Sequence, residues 1–164
     1  MTKATISDQD MKFKPWVTSS RSKWDARFFK LAEHYSTWSK DPSTGCGAVI
    51  TRGNRQISQG YNGFPAGTSD DPSVYTNRDT KLLRIIHAEL NAILHSKQDL
   101  SGCTIYVYPL TPCASCMAAI IQSGIIRVVT KEPTAELKER WLLSNTEALH
   151  MAKEAKVSVN YIGE

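Results

Sequence analysis

The chain has 164 residues, of which 41% are hydrophobic, and this length allows one well-buried globular domain rather than two. No window approaches the roughly 18 apolar residues of a membrane span, and residues 1–22 lack the apolar core of a signal peptide, so we expect a cytoplasmic protein with reduced cysteines. The net charge of +4 is spread along the chain, which fits a phosphate-bearing small ligand and an ordinary basic surface equally well.

The chain begins with a polar segment, residues 1–22, which we expect to be a flexible arm or a strip lying on a partner subunit. Residues 23–164 are expected to form a single domain. Apolar residues recur at helical spacing from 24 to 38, and Asp41-Pro42 then ends this helix.

The next segment predicts a hairpin followed by a long loop. The segments Ala48-Val49-Ile50 and Gln56-Ile57-Ser58 flank Gly53-Asn54, a pair typical of a tight turn between strands. Residues 61–77 hold too many turn-forming residues for a strand, and so long a loop in a compact domain is usually functional or disordered.

Helices and strands alternate in the rest of the chain. The pattern predicts a helix over 82–94, a strand over 104–108, a helix over 113–123, a strand over 125–130, a helix over 136–155 and a strand over 157–162. This alternation indicates an α/β protein whose later strands are parallel neighbours.

Two fragments carry most of the chemistry, His87-Ala88-Glu89 and Pro112-Cys113-Ala114-Ser115-Cys116. Three protein ligands with an open fourth position are typical of a catalytic zinc site, whereas structural sites are closed by four. The spacing H-x-E followed by P-C-x-x-C is the signature of zinc-dependent nucleobase deaminases. We therefore predict that His87, Cys113 and Cys116 bind Zn²⁺ and that Glu89 is the catalytic residue.

The spacing also constrains the geometry. Pro112 suits the first position of a helix, which would place Cys113 and Cys116 on one face of its first turn, where the helix N-terminus favours thiolates. Residues two apart on a regular helix point about 200° apart, so His87 and Glu89 can converge only at a helix start. We expect two helix N-termini to face one zinc ion.

Charge balance indicates a reactive site. Two thiolates and a neutral imidazole balance Zn²⁺, which leaves a water as fourth ligand with its pKa lowered by the metal. Glu89 would accept the proton and return it to the ring nitrogen and to the departing amine. Attack at a carbon that bears an exocyclic amine then expels ammonia and leaves a carbonyl.

The cysteines allow two other interpretations. A redox-active Cys-x-x-Cys pair would leave His87 and Glu89 without a role. Cys46 or Cys103 could complete a closed structural zinc site, but we expect both to pack as small buried hydrophobes.

Further motifs surround the zinc fragments: Ser39-Lys40-Asp41-Pro42, Gly47-Ala48-Val49-Ile50, Gly60-Tyr61-Asn62-Gly63-Phe64-Pro65, Asp79-Thr80-Lys81, Leu90-Asn91-Ala92-Ile93 and Ile121-Gln122-Ser123-Gly124-Ile125. With them, the chain from about Trp24 to Ile162 resembles the deoxycytidylate (dCMP) deaminases of the cytidine deaminase superfamily. The zinc fragments are common to the superfamily, whereas the Tyr-Asn-Gly-x-Pro loop and the Asn-Ala-Ile tail resemble the dCMP branch.

This resemblance implies a three-layer α/β/α sandwich with a mixed five-stranded sheet. It implies zinc-dependent hydrolytic deamination of dCMP to dUMP, which supplies thymidylate synthesis, with zinc on His87, Cys113 and Cys116 and proton transfer by Glu89. Asn62 would hydrogen-bond the sugar or base of the nucleotide, and the backbone of Ala88 would meet the base carbonyl.

The resemblance also implies regulation and assembly. Many family members are hexamers that dCTP activates and dTTP inhibits, so we expect dCTP and dTTP as effectors and a homo-oligomer, either a dimer or a hexamer. In such enzymes the loop after the Tyr-Asn-Gly-x-Pro element contributes to effector binding.

Two departures from the family pattern concern the substrate pocket. The segment 106–113 is one residue longer than usual, and it includes the expected pocket wall with Tyr108 and Thr111. The run 82–86 has leucines and isoleucines where relatives often have tyrosines. Lys40 and Arg84 are candidate phosphate contacts, and a solvated basic side chain is an equally good interpretation of each.

Three alternative functions remain open. The enzyme could deaminate another free cytosine or purine nucleotide or nucleoside, or an adenosine within tRNA, or the chain could be a zinc-stapled interaction module. A nucleic-acid substrate is disfavoured because no dense Lys/Arg stripe with interleaved aromatic residues remains outside the catalytic domain.

Overall fold

A computed structural model describes residues 17–20 and 22–163 of the chain. The described helices and strands are, in chain order, β1 Val17–Ser20, α1 Lys23–Ser36, β2 Gly47–Arg52, β3 Arg55–Tyr61, α2 Pro72–Thr76, α3 Arg78–Arg84, α4 Ala88–Ser96, β4 Thr104–Tyr108, α5 Ala114–Gln122, β5 Arg127–Thr130, α6 Ala135–Arg140, α7 Leu142–Glu154 and β6 Ser158–Ile162. None of the helices in this described part is both long and apolar enough to cross a membrane.

The strands form one mixed sheet in the order β1-β6-β5-β4-β2-β3. Strands β4, β5, β6 and β1 run parallel to one another, whereas β2 runs antiparallel to both β4 and β3. The expected mixed five-stranded sheet with parallel later strands is thus confirmed as β2 to β6.

Strand β1 is an addition that the sequence pattern did not predict. It lies in the segment assigned to the N-terminal arm and pairs in parallel with β6, with Val17 opposite Val159. Four mostly polar residues show no strand periodicity, and their pairing depends on the backbone of β6, far along the chain. The remainder of the predicted arm, residues 1–16 and 21, lies outside the described residues.

The predicted hairpin is confirmed at β2 and β3. Arg52 pairs with Arg55 across the two-residue turn Gly53-Asn54, and Gly53 adopts a positive φ of 57°, which glycine tolerates without steric cost. This hairpin forms one side of the sheet against which helix α4 packs.

Alternate residues of each central strand enter different cores, because successive side chains point to opposite faces of a sheet. Val49, Tyr106 and Val129 pack with Phe28, Phe29 and Ala32 of α1 on one face. Ile50, Ile105 and Val128 face a second cluster to which α4, α5 and α7 contribute. The sheet is therefore covered on both faces, which confirms the expected three-layer α/β/α sandwich.

Two predicted long helices are each broken in the structure. The helix expected over 82–94 is divided into α3 and α4, because Ile86 leaves the helix and exchanges two backbone hydrogen bonds with Gly63, of 2.8 and 3.1 Å. The helix expected over 136–155 is divided into α6 and α7 at Trp141, whose φ and ψ of −114° and 21° are not helical. Apolar periodicity continues through both breaks and could not locate them.

Candidate active site

The N-termini of α4 and α5 meet on the same face of the sheet. His87 is the N-cap of α4 and Cys113 the N-cap of α5, both with extended backbone, and Cys116 lies in the first turn of α5. Neither N-cap side chain bonds to its own helix. The expectation that His87 lies at a helix start and that two helix starts converge is confirmed.

The exact start of α5 differs from the prediction. Cys113 lies one position outside the helix, so Pro112 precedes the N-cap instead of occupying the first helical position. The N–H of Ala114 at this helix start donates to Ser144 Oγ of α7 at 3.0 Å. Ser144 thus caps the helix from a neighbouring element, a contribution for which the sequence held no local signal.

The three soft side chains at these helix starts fit a zinc ion. The Nδ1 atom of His87 lies 3.6 Å from the Sγ of Cys113 and 3.3 Å from the Sγ of Cys116, and the ligand atoms of all three lie within 4.8 Å of one another. Tetrahedral zinc with usual Zn–S and Zn–N bond lengths needs ligand separations of roughly 3.5 to 3.8 Å. The donor types therefore suit zinc, and the distances from the imidazole to the two sulfurs are close to those that zinc needs.

The pKa values of the two cysteines are shifted in opposite directions, which favours metal binding. A hydrogen bond from the thiol of Cys116 lowers the pKa of Cys113, and the same hydrogen bond raises the pKa of Cys116. One sulfur of the pair is thereby stabilised as a thiolate, the form that coordinates metals.

Glu89 lies in the first turn of α4, two residues after His87, and its side chain is only 6% exposed. Burial raises the pKa of this carboxyl. A raised pKa makes a carboxylate a stronger base, which suits a group that must accept a proton and pass it on as a general acid–base catalyst. Glu89 combines this property with a place beside the three potential metal ligands.

Close packing on β3 fixes the position of α4. A Cβ atom added to Gly60 would lie 2.5 Å from the backbone nitrogen of Ala92 and closer still to the carbonyl oxygen of Ala88. The hydroxyl of Ser58 donates to the carbonyl of Ala92 at 2.6 Å. The first turn of α4, which carries Glu89, therefore lies directly on the strand.

Asn62 is buried at the end of β3, with 6% of its surface exposed. Its Oδ1 accepts a hydrogen bond from the N–H of Cys46 at 2.7 Å, and its Nδ2 donates to the carbonyl of Thr44 at 2.9 Å. The next residue, Gly63, pairs with Ile86 immediately before His87. Asn62 is thus joined through its neighbour to the metal-ligand segment, while its amide binds the residues that precede β2.

Cys46, which the sequence predicts to pack as a small hydrophobe, is also a neighbour of the site. It packs against the core cluster, as expected for a small hydrophobe. Burial raises the pKa of Cys46 to about 12, and the negative charge of Glu89 adds to this shift. Cys46 is therefore a neutral thiol near the buried carboxyl, and its backbone N–H donates to Asn62 Oδ1.

The other predicted substrate contacts occupy different surroundings. Lys40 is exposed and forms an ion pair with Asp70, and Arg84 is exposed at the end of α3. The ring of Tyr108 packs on Phe29, on the face of the sheet opposite α4 and α5. Buried Thr111 donates through Oγ1 to the carbonyl of Lys131 at 3.4 Å. The structure does not bring the Tyr108 side chain together with His87 and Glu89.

Comparison with known proteins identifies the family. The family described as "Cytidine and deoxycytidylate deaminase zinc-binding region" matches residues 22–132, more than half of the chain. The chain belongs to this family. The resemblance noted in the sequence and the expected enzyme class, a hydrolytic deaminase, are thereby confirmed.

Individual relatives agree with this assignment. An Aliivibrio fischeri protein named "Uncharacterized deaminase in luxG 3′region" is 46% identical over 141 residues, which cover 86% of this chain and 95% of that protein. A probable deoxycytidylate deaminase of Caenorhabditis elegans is 40% identical over 128 residues, 75% of this chain and 64% of its own length. The chain therefore spans just under two thirds of that animal relative.

The fold has a counterpart among crystal structures. The dCMP deaminase of the cyanophage S-TIM5, in its apo form, superposes with a TM-score of 0.67 at 21% sequence identity. The match covers 87% of this chain and 99% of the phage enzyme. At this level of identity the similarity shows the fold alone.

Proposed function

We propose that the protein is a zinc-dependent dCMP deaminase that converts dCMP and water to dUMP and ammonia. The observation that carries the proposal is the convergence of His87, Cys113 and Cys116 with the buried carboxyl of Glu89 at two helix starts. Support for dCMP comes from relatives named deoxycytidylate deaminases, including the human protein, which is 40% identical over 113 residues.

In this proposal His87, Cys113 and Cys116 hold zinc, which when bound supplies a Lewis acid that lowers the pKa of water. Glu89 takes a proton from the attacking water as a C–O bond forms at C4 of cytosine. It delivers this proton to N3 of the ring, then takes the second water proton from the hydroxyl now on C4 and passes it to the exocyclic amine. The C4–N bond breaks, ammonia leaves, and C4 becomes a carbonyl, so that atoms and charge balance.

Helix α4 and the end of β3 supply the groups proposed to hold the nucleotide. The first N–H groups of a helix have no intrahelical partner, so the N–H of Ala88 can donate to the base carbonyl oxygen. The second lone pair of Asn62 Oδ1 can accept a hydrogen bond from a sugar hydroxyl. Two neutral contacts of this kind orient the nucleotide while Glu89 moves the protons.

The test is a substrate panel for the zinc-loaded protein. We expect ammonia release with dCMP at a kcat/KM above that with CMP, dCTP, deoxycytidine, guanine or tRNA. Glu89→Gln protein prepared identically serves as the control for contaminating deaminases. An inert dCMP alongside turnover of another compound would refute the substrate assignment and identify the alternative, a different free cytosine or purine compound or an adenosine in tRNA.

We further propose that dCTP activates and dTTP inhibits the enzyme, and that it assembles as a homo-oligomer, a dimer or a hexamer. The support is the resemblance of the Tyr61-to-Pro65 loop to regulated family members. Initial rates measured up to millimolar dTTP, with sedimentation of the same samples, test both statements. A rate that does not change with dTTP would refute the regulatory proposal. Sedimentation as a monomer would refute the proposed homo-oligomer.

We also propose a cytoplasmic location for the enzyme. The four cysteines are free thiols in the structure, and a reducing compartment would keep the two proposed zinc ligands available for the metal.

A further inference from the structure

A buried ion pair near the site takes no part in the proposed deamination chemistry. Lys81 Nζ of α3 lies 3.0 Å from Asp41 Oδ1, and the two side chains are only 11% and 8% exposed. Desolvation of a buried pair offsets much of its attraction, so such a pair contributes little net stability by itself. The ion pair therefore acts through the groups that it holds in place.

The pair folds the segment after α1 onto α3. The same Asp41 oxygen accepts the N–H of Ser43 at 2.8 Å, and Lys81 Nζ also donates to Ser43 Oγ at 3.1 Å. The other Asp41 oxygen lies 3.5 Å from Nδ2 of Asn62. The charge of Asp41 is thus shared between Lys81 and the amide proposed to contact the nucleotide.

Asn62 is bound by this segment through its backbone as well as its side chain. Its carbonyl accepts a hydrogen bond from Ser39 Oγ at 2.8 Å, and its N–H donates to the carbonyl of Cys46 at 3.2 Å. Because Oδ1 faces the N–H of Cys46 and Nδ2 faces the carbonyl of Thr44, rotating the amide by 180° would oppose donor to donor and acceptor to acceptor. The segment 39–46 therefore determines which way the amide oxygen points.

Lys81 also anchors the residues that lead to the metal ligands. Its carbonyl accepts the N–H of Ile85 at 2.9 Å, at the end of α3, and Ile86 pairs with Gly63 next to Asn62. A closed ring of contacts thus runs from Lys81 through Asp41 and Asn62 to Ile86, directly before His87. The ion pair is the link between the two halves of this ring.

We propose that Lys81 and Asp41 are positioning residues, whose buried ion pair holds the Asn62 amide oriented toward the nucleotide. The inference rests on the proposed function, because only there does Asn62 contact a substrate. Neither residue touches the substrate, and both act through Asn62.

The test compares Lys81→Met and Asp41→Asn with the parent enzyme. We expect KM for dCMP to rise about tenfold, the loss expected for one hydrogen bond, while kcat and zinc content change little. In an Asn62→Ala background, Lys81→Met should add less than about twofold, because coupled residues are not additive. Lys81→Arg should retain most of the affinity for dCMP that Lys81→Met loses.

A matched control breaks a partly buried ion pair between β5 and α1. Arg127 contacts Asp25 at 2.5 and 2.9 Å, and Asp25 is 2% exposed. Arg127→Met should lower the melting temperature without raising KM. If Lys81→Met behaves in this same way, or if its effect simply adds to that of Asn62→Ala, the positioning role is refuted.

A second readout does not depend on the substrate. The side-chain NH₂ of Asn62 should give slowly exchanging NMR signals in the parent protein and faster exchange in Lys81→Met. If the parent does not turn over dCMP, the proposed function fails, while the exchange measurement still decides whether the pair orders Asn62. Equal exchange rates in the two proteins would overturn the inference even in an active enzyme.

Discussion

Glu89 is the residue on which the proposed reaction depends. Its carboxyl is buried beside two cysteine thiols and one imidazole. Burial raises the pKa of Glu89, and this shift suits a group that must accept and release a proton in one cycle. His87, Cys113 and Cys116 can bind a metal ion without Glu89 as a further ligand.

We expect Glu89→Gln to bind zinc normally and to lower kcat by roughly 10²- to 10⁴-fold, because glutamine keeps the shape but cannot accept a proton. Metal analysis and ammonia release on the same sample provide the measurement. Glu147→Gln, on an exposed part of α7, is a matched control that should retain full activity. A Glu89→Gln enzyme as active as the parent would contradict the proton-transfer role.

Helix α4 shows how one element sets the site. Gly60 lets the helix lie on β3 so closely that no Cβ would fit, and the same first turn carries Ala88 and Glu89. A side chain at Gly60 would meet backbone atoms of α4, which cannot rotate away as a flexible side chain could.

We expect Gly60→Ala to destabilise the protein by about 1–3 kcal/mol, the usual cost of overpacking, and to lower kcat because the shifted turn carries Glu89. Chemical denaturation and steady-state kinetics test both effects. Gln59→Ala on the same strand removes only an exposed 3.0 Å hydrogen bond to Gln56, and we expect it to resemble the parent. Similar values for the two variants would show that α4 does not depend on Gly60.

In the whole molecule, the two clusters on opposite faces of the sheet have different tasks. The face with α1 holds the ion pair of Asp25 and Arg127, and Tyr106 donates its hydroxyl to the same carboxylate at 2.8 Å. The face with α4, α5 and α7 carries the proposed zinc ligands. A metal bound there would clamp helix starts that belong to segments on either side of β4.

Removing zinc should therefore lower thermal stability. At free zinc about 1,000-fold above Kd, binding adds about 4 kcal/mol, which corresponds to roughly 8–16 °C in Tm for a chain of this size. Calorimetry of chelator-treated and zinc-reloaded protein provides the measurement, with Cys116→Ala as the variant that should not respond to zinc. Equal melting temperatures with and without zinc would contradict the clamp.

Local patterns in the sequence were sufficient for much of the fold and for the chemical identity of the site. Helical spacing predicted α1, the Gly53-Asn54 turn predicted the hairpin, and alternation predicted parallel later strands. The two-residue interval between His87 and Glu89 required a helix start, and the structure has one there. These predictions hold because each depends on residues close together in the chain.

Contacts between distant segments determined the rest. The break before His87 comes from Ile86 pairing with Gly63, and strand β1 exists only through pairing with β6. The cap by Ser144 and the pair of Lys81 with Asp41 likewise join residues 30 and 40 positions apart. The sequence alone determined which side chains are available for the chemistry, whereas the tertiary structure decided which of them meet, because hydrogen bonds and burial between remote segments leave no periodic signal.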